Sequence, residues 1–235
     1  MLSEKETIVE MAALDYPRVT EILRPFTSYE FVPKKILENA KTRGTVVHAL
    51  CAGIAKGNWI PESMVAEELQ GYVKSFKQWA EAQVDKFVIV EQRFLDEHLL
   101  YTGQVDFVVK SKDGELYLVD LKTGSKPQKT HKVQMAAYEN LLGKANIRIK
   151  GAMLVYLSRE GEFPEIDMIE ESDFMPHYHC FLSALDCYNY FKRKRKKKNG
   201  SDTFESGTES SSEADAERLP AHTCCDGRTE LYPEG

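Results

Sequence analysis

The sequence predicts an α/β fold in which a small mixed sheet is flanked by helices, in the order αβββαβ. Apolar residues recur at helical spacing in the first third of the chain, and alternation every second residue begins near Phe87. A nearly unbroken apolar run, 151–157, follows a further helical segment, as expected of a strand that is buried on both faces. These changes of period predict the fold class.

Several helices are predicted before the sheet. A short one begins at Tyr16 and ends near Pro25, and another begins at Pro33, which suits a first helical turn. The tripeptide Thr42-Arg43-Gly44 predicts a break, after which a new helix runs to about Ala55. A long amphipathic helix then runs from Pro61 to about Gln83, with apolar positions at Met64, Leu69, Val73, Phe76 and Trp79.

The strand over 87–94 is followed by two strands within 103–122 whose register depends on the turn between them. If Asp113-Gly114 forms a two-residue loop, Asp120 lies opposite Phe107. If the loop is 112–114, Asp120 lies opposite Asp106. We predict the second form, with Gly114 in the left-handed position that such hairpins require. A slip of one residue would turn every side chain to the other face.

The chain after this hairpin predicts one helix, two strands and a last helix. Thr130 suits an N-cap for a helix through Leu142, and a right-handed crossover should then lead to the strand over 151–157. A return strand is predicted over 161–169, and a final helix extends from Glu171 to about Lys192.

The domain prediction divides the chain into a folded part, 1–198, and an acidic Ser/Gly/Glu-rich disordered tail, 199–235. The net charge is −6, and the tail has nine acidic residues against two arginines, so it carries −7. The first 198 residues therefore carry +1, and such a near-neutral domain is compatible with a basic cleft.

The composition predicts a protein of the cytoplasm. No apolar run approaches the roughly 20 residues of a membrane span. The charged start, MLSEKETIVEM, lacks the apolar core of a signal peptide. The five cysteines are an odd number, which favours reduced thiols.

Two carboxylates and a lysine are the strongest candidates for a functional site. Asp106 and Asp120 each stand between apolar residues on neighbouring predicted strands, and Lys122 shares a strand face with Asp120. Buried carboxylates repel unless a cation lies between them. A divalent metal ion would satisfy this need, and so would Lys122 alone as a structural ion pair. An Asp-x-Lys triplet by itself is usually a solvated strand edge.

Further candidates lie on the predicted helices and on the first strand. His48 by itself is typical of a satisfied core or surface histidine, and Gln134 and Tyr138 share one helical face at i and i+4. Tyr138 alone is also typical of a core aromatic. Glu91 would either support the site from behind its ligands or be a surface charge at a strand end.

Taken together, these motifs resemble the PD-(D/E)XK nuclease superfamily in its RecB-type exonuclease branch, which includes phage enzymes similar to lambda exonuclease. That branch has the order RGT-x-x-H, G-x-x-D, D-x-K and Q-x-x-x-Y. This sequence has the same order over roughly 15–160, with the motifs at 43–48, 103–106, 120–122 and 134–138.

The resemblance implies a restriction-endonuclease-like core and a set of site residues. Asp106 and Asp120 would bind Mg²⁺ or Mn²⁺ with the backbone carbonyl of Leu121 and a nitrogen of His48. Lys122 would position the attacking water and offset charge on the phosphate. Gln134 and Tyr138 would line the cleft.

The implied function is metal-dependent hydrolysis of DNA, most simply by an exonuclease that processes single- or double-stranded ends in recombination or repair. A phage or mobile-element origin, a bacterial or phage-infected host cytoplasm and a recombination or annealing partner protein fit the resemblance. The alternatives are a structure-specific endonuclease and a DNA-end-binding module without catalysis.

Some relatives carry an iron–sulfur cluster, and the cysteine spacing here does not match theirs. Cys51 follows His48 within a helix, Cys180 and Cys187 lie on the last helix, and Cys224-Cys225 are in the tail. No iron–sulfur cluster is therefore expected.

Basic residues provide candidate contacts to DNA phosphates. Arg43 would either bind a phosphate at the start of a helix or pair with a neighbouring carboxylate. The run 192–198 contains only lysine and arginine, and it would either grip phosphates or be a solvated, localisation-like segment. The candidates from this run are Lys192, Arg193, Lys194 and Arg195.

Overall fold

The computed structural model describes residues 16–27, 32–124 and 127–192, in which a five-stranded sheet lies between two layers of helices. The helices and strands have the following bounds: α1 Val19–Ile22, α2 Lys34–Ala55, α3 Glu67–Gln83, β1 Val84–Asp96, β2 Tyr101–Ser111, β3 Leu116–Lys122, α4 Lys129–Lys144, β4 Gly151–Tyr156, β5 Glu165–Glu170 and α5 Phe174–Lys192.

The sheet is mixed, as predicted. Its strand order is β1-β2-β3-β4-β5, with a parallel pairing between β3 and β4 and antiparallel pairing elsewhere. Helix α4 connects the two parallel strands, because a parallel pair needs a long crossover. The predicted return strand is β5, which pairs with β4.

The turn between β2 and β3 confirms the predicted three-residue loop. Paired residues run from Lys110↔Leu116 to Phe107↔Val119, and the Ser111 amide donates to the Glu115 carbonyl at 2.9 Å. Gly114 has φ +91°, a conformation that a side chain would strain. The loop therefore sets the register that brings Asp106 level with Asp120.

Each face of the sheet has its own hydrophobic core. Helices α1, α4 and α5 cover one face around Tyr101, Leu118 and Phe181. Helices α2 and α3 cover the other, where Phe76 lies 5.8 Å from both Trp79 and Phe107 between ring centroids. Any residue near the middle of β2 or β3 can thus be reached by helices from both sides.

Helix α2 is continuous, so the predicted break at Thr42-Arg43-Gly44 is wrong. A glycine within a helix costs only about 1 kcal/mol relative to alanine, which the packing of a long helix can offset. A Cβ on Gly44 would lie 3.5 Å from Oγ1 of Thr123, so this glycine also faces the residue that follows β3.

Three smaller predictions about the helices need correction. Met64 lies in a 3₁₀ turn before α3 and is 78% exposed, whereas Leu69, Val73, Phe76 and Trp79 are buried as expected. The N-cap of α4 is Gln128, not Thr130, because Gln128 and His131 form a reciprocal capping box. The last helix begins at Phe174 after a 3₁₀ turn over Glu171–Asp173.

Residues 193–235 lie outside the described residues, so the predicted division at 198/199 stays a prediction. Among the described residues, no helix is both long enough and apolar enough to cross a membrane.

Gly103 provides a test of how closely β2 approaches α4. A Cβ at this position would lie 2.5 Å from a ring carbon of Tyr138, and such overpacking typically costs 1–3 kcal/mol. We expect Gly103→Ala to lower the free energy of unfolding by about 2 kcal/mol in urea titrations. The control is Gly143→Ala on α4, where a Cβ would meet nothing within 4 Å. It should leave stability unchanged or raise it, and equal effects of the two variants would contradict this packing.

Candidate active site

The candidate site lies where the pairing between β2 and β3 ends. Pairing between β2 and β3 ends at Phe107↔Val119, and beyond it the Leu121 amide donates to Oδ2 of Asp106 at 3.0 Å. For this amide, the side-chain carboxylate of Asp106 thus takes the place of a backbone carbonyl of β2 as the hydrogen-bond acceptor. On β1, Glu91 lies between the pairs Val90↔Phe107 and Gln92↔Val105, level with Asp106, and has φ +48°. This backbone strain is of the kind that recurs at functional sites.

His48 approaches Asp106 from helix α2. Its Nδ1 lies 3.2 Å from Oδ2 of Asp106, and the two side chains are 28% and 15% exposed. Burial alone would lower the pKa of His48, but the Asp106 carboxylate outweighs burial and raises this pKa to about 9. In the metal-free protein at neutral pH, His48 is therefore a cation paired with Asp106.

Asp120 is held from the other face of the sheet. It is 3% exposed, its Oδ2 lies 2.7 Å from Nζ of Lys122, and its Oδ1 accepts a hydrogen bond from Nε2 of Gln134 at 3.0 Å. Burial and the nearby Asp106 raise the pKa of Asp120, although Lys122 opposes them. Neighbouring charges and hydrogen bonds therefore stabilise the ionised form of Asp120 less well than that of Asp106.

Gln134, on helix α4, is linked by hydrogen bonds to three other residues of the site. Its Oε1 accepts from Nζ of Lys122 at 3.2 Å, and its Nε2 donates both to Asp120 and to the Tyr138 hydroxyl, at 3.0 Å each. Gln134 and Tyr138 are one helical turn apart, so both reach the end of β3. Burial raises the pKa of Tyr138, so its hydroxyl stays protonated.

The two carboxylates differ in their electrostatics although they are neighbours. Burial would raise the pKa of Asp106, but His48 and the Leu121 amide outweigh it, so this pKa is lowered. His48 and Lys122 together supply two positive charges for the two acids. The site is thus neutral only while both cations stay in place.

The residues fit a hard divalent cation, although no three His, Cys, Asp or Glu side chains in the described ranges form a ready-made metal-binding group. Oδ2 of Asp120 is buried and accepts no hydrogen bond of good geometry, so its partner is the Lys122 charge alone. Carboxylate oxygens suit hard divalent cations, whereas an imidazole nitrogen such as that of His48 is a ligand that softer divalent ions prefer. When such an ion binds, it would replace the protons and cations that now neutralise Asp106 and Asp120.

The other predicted site residues lie farther from this cluster. Glu91 is half-buried, and its charge acts on the buried thiol of Cys51 on α2. Arg43 lies within α2, so its predicted place at a helix start is wrong. Lys192 ends α5, where its Nζ lies 5.6 Å from the centroid of the Tyr188 ring. Arg193, Lys194, Arg195 and the tail cysteines lie outside the described residues.

Two polar residues near Lys122 were missed by sequence reasoning. Tyr156 pairs with Lys122 across the parallel strands, and its hydroxyl lies 3.0 Å from Nδ1 of His131. Burial, assisted by the Lys122 charge, lowers the pKa of His131 to about 4. Polar groups at the carboxyl ends of parallel strands are a general signal of a site, and this signal would have identified Tyr156.

Comparison with known proteins gives one family match. A family model described as the PD-(D/E)XK nuclease superfamily matches residues 37–222. No curated protein matches the chain. A solved structure, "Crystal structure of SSO0001", is similar at 17% identity and a TM-score of 0.29, over 40% of this chain and 50% of that one. The aligned part thus spans only half of the length of that protein.

The His48–Asp106 pair predicts how stability depends on pH. Because folding raises the pKa of His48 from 6.5 to about 9, its contribution is complete below pH 6.5 and is lost as the pH rises through 9. We expect the metal-free protein in EDTA to lose up to about 3 kcal/mol over this window, as measured by urea unfolding. His48→Gln should flatten the profile, whereas the exposed His98→Gln should not. A profile that His48→Gln leaves unchanged would contradict the ion pair.

The two acids should respond unequally to the same substitution. Asp106→Asn removes a carboxylate that is stabilised by His48 and by the Leu121 amide, and it should cost about 1–3 kcal/mol at pH 7 in EDTA. Asp120→Asn removes a charge whose burial raises its pKa, but it also leaves Lys122 without the carboxylate that lies 2.7 Å away. The second variant should therefore lose less stability than the first. Urea titrations that show equal losses would refute the asymmetry.

Proposed function

Because the chain belongs to the PD-(D/E)XK nuclease superfamily, we propose that it is a deoxyribonuclease that uses Mg²⁺ or Mn²⁺ and acts at DNA ends. The observation that carries the proposal is the pair of carboxylates, Asp120 buried and Asp106 15% exposed, with Lys122 beside Asp120. A protein that only binds DNA has no need of two adjacent buried acids, which cost stability. The exonuclease assignment rests on the order of the four sequence motifs.

Asp106, Asp120, the carbonyl of Leu121 and the imidazole of His48 would hold the metal ion, which would supply Lewis acidity toward a phosphate oxygen and a water of lowered pKa. His48 must lose its proton to act as a ligand. Gln134 orients both Asp120 and Lys122, since it bonds to each of them.

Lys122 would act chiefly through its charge. An ammonium group has three donors and no lone pair, so it cannot accept a proton as a base would. Its Nζ would instead position a water beside the phosphate and offset the negative charge that develops there. Gln134 restricts Lys122 to this role by accepting one of its hydrogen bonds.

The biological setting that we propose follows from the resemblance. DNA ends produced during recombination or repair would be the substrate, in the cytoplasm of a bacterium or of a phage-infected cell. A recombination or annealing protein would take up the processed strand. Glu91 would support the site from β1, where its strained backbone lies level with Asp106.

Digestion of end-labelled linear DNA and covalently closed circular DNA, with Mg²⁺, Mn²⁺ or EDTA, tests the proposal. The wild type should degrade linear DNA only with metal and leave circles intact, and cleavage of circles would favour the endonuclease alternative. Asp120→Ala and Lys122→Ala should each lower the rate about 100-fold or more, since each removes a charge next to the reacting phosphate.

Matched controls come from the exposed pair Asp85 and Lys110, whose charged atoms lie 3.9 Å apart on β1 and β2. Asp85→Ala and Lys110→Ala make the same changes of side chain outside the site, and they should keep the wild-type rate. If Asp120→Ala and Lys122→Ala cleave as fast as these controls, the assignment of the site fails.

A further inference from the structure

A second site candidate is a cavity between helix α2, helix α3 and the loop that follows β4. It has a volume of about 580 Å³, within the usual range for ligand sites. Its polar lining comes from Asn39, Thr42, Arg43, Glu68 and Arg159. The lining therefore contains two guanidinium groups and one carboxylate, which gives the cavity an excess of positive charge.

Arg43 enters the cavity with unused hydrogen-bonding capacity. Its Nε is buried and has no hydrogen-bond partner, and its guanidinium carbon lies 5.8 Å from the centroid of the Tyr72 ring. The aromatic contact restricts the guanidinium, so less freedom is lost when it binds a ligand. A buried donor without a partner is costly, and an anion would satisfy it.

Arg159 is fixed at the cavity by contacts of its own backbone. A Cβ on Gly71 would lie 1.7 Å from the Arg159 carbonyl oxygen, so only glycine lets α3 approach this loop. Gly161, with φ +77°, lies against Gly71, and the Ser158 amide donates to Oγ of Ser75 at 3.0 Å. The loop is therefore held against the helix, and the start of the Arg159 side chain is fixed.

Neither arginine is neutralised by the protein. In the parts of the chain that the structure describes, neither Arg43 nor Arg159 has an acidic atom within 4.0 Å, and Glu68 lines the cavity without pairing to either. Arginine is well suited to phosphate because its planar fork can donate two parallel hydrogen bonds. Two unpaired guanidiniums at one cavity therefore favour a phosphate group.

Helix α2 contributes residues both to the cavity and to the candidate active site. Arg43 precedes His48 by five residues, which is about 7.5 Å of axial rise and about 140° of rotation, so the two side chains leave different sides of the helix. Between them, Gly44 faces Thr123, directly after Lys122. A DNA strand with one phosphate at the carboxylates could therefore extend past Thr123 and Gly44 and bring another of its phosphates to the cavity.

We infer that the Arg43–Arg159 cavity binds a phosphate group of the bound DNA strand, other than the phosphate at the carboxylates. The inference rests on the proposed function, because it takes DNA as the ligand. The contacts are to phosphate alone, so they should add affinity without sequence preference.

Binding of short 3′-labelled DNA in EDTA, followed by fluorescence anisotropy, tests the inference apart from cleavage. We expect Arg159→Ala to weaken binding about tenfold and to reduce the salt dependence by about one released counterion. The control is Arg148→Ala, an equally exposed arginine at the opposite end of β4, which should bind as the wild type does. Arg159→Lys should fall between the two, since it keeps the charge but loses the fork.

Arg43→Lys provides a second variant that keeps the charge over Tyr72, and it too should weaken binding. Thermal unfolding of each variant checks that the fold is retained. DNA with a 5′-phosphate is compared with DNA that has a 5′-hydroxyl. If the variants lose affinity only for the phosphorylated DNA, the cavity binds a terminal phosphate. If they lose affinity equally for both DNAs, it binds an internal phosphate. Both results support the inference.

The outcomes separate this inference from the nuclease assignment. If the wild type binds DNA, Arg159→Ala loses affinity and no cleavage occurs with metal, the cavity stands and the proposed function fails. If the wild type cleaves DNA while folded Arg159→Ala and Arg148→Ala bind equally well, the cavity is overturned and the nuclease remains. Absence of DNA binding by the wild type overturns the cavity as well.

Discussion

Two carboxylates buried at one level of the sheet impose the constraint on which the rest of the structure depends. Asp120 is buried and Asp106 is largely shielded from water, so their mutual repulsion must be offset by charge and hydrogen bonds. The fold achieves this from both faces, with His48 from α2 and with Gln134 from α4, while Lys122 comes from the same strand as Asp120. A helix on only one side of the sheet would leave one of the acids without a partner. The three-layer arrangement is therefore an electrostatic requirement of this site as well as a way of burying apolar surface.

The hydrogen-bond pattern of the sheet is adapted to the same constraint. Regular pairing of β2 with β3 would use the Leu121 amide for a backbone carbonyl, yet here it donates to Asp106. The left-handed Glu91 lies at the same level of β1, so two strand irregularities coincide at the acidic residues. Such strain costs of order 1–3 kcal/mol and persists only where packing enforces it. Such packing comes from an aromatic cluster on the face of the sheet that α2 and α3 cover. Its members are Phe76, Trp79, Phe87 and Phe107.

Much of this arrangement could be predicted because it depends on local rules. Gly114 determines a loop length, the loop determines a register, and alternation along the strands then gives the positions of Asp106 and Asp120. The helix positions of Gln134 and Tyr138 follow from spacing in the same way. The errors arise where tertiary contacts decide. Gly44 does not end α2, because the helix gains more by packing along the sheet than it loses at one glycine. Met64 fits a helical pattern but precedes the helix, and Arg159 has no sequence signal, because its position depends on Gly71 in a distant helix.

The geometry of the parallel pair explains why the polar groups collect where they do. Strands β3 and β4 run in the same direction, so Lys122 and Tyr156 end side by side, and the Leu157 amide donates to the Lys122 carbonyl at 2.8 Å. The chain must leave both strands at this edge, which produces a crevice outside their carboxyl ends. One exit leads through Thr123 past Gly44 of α2, and the other leads to Arg159, held against α3 by Gly71. Both exits thus carry the chain toward the helices that supply His48 and Arg43. Lys122 and the loop that carries Arg159 therefore leave the sheet at the same edge, because β3 and β4 run in one direction.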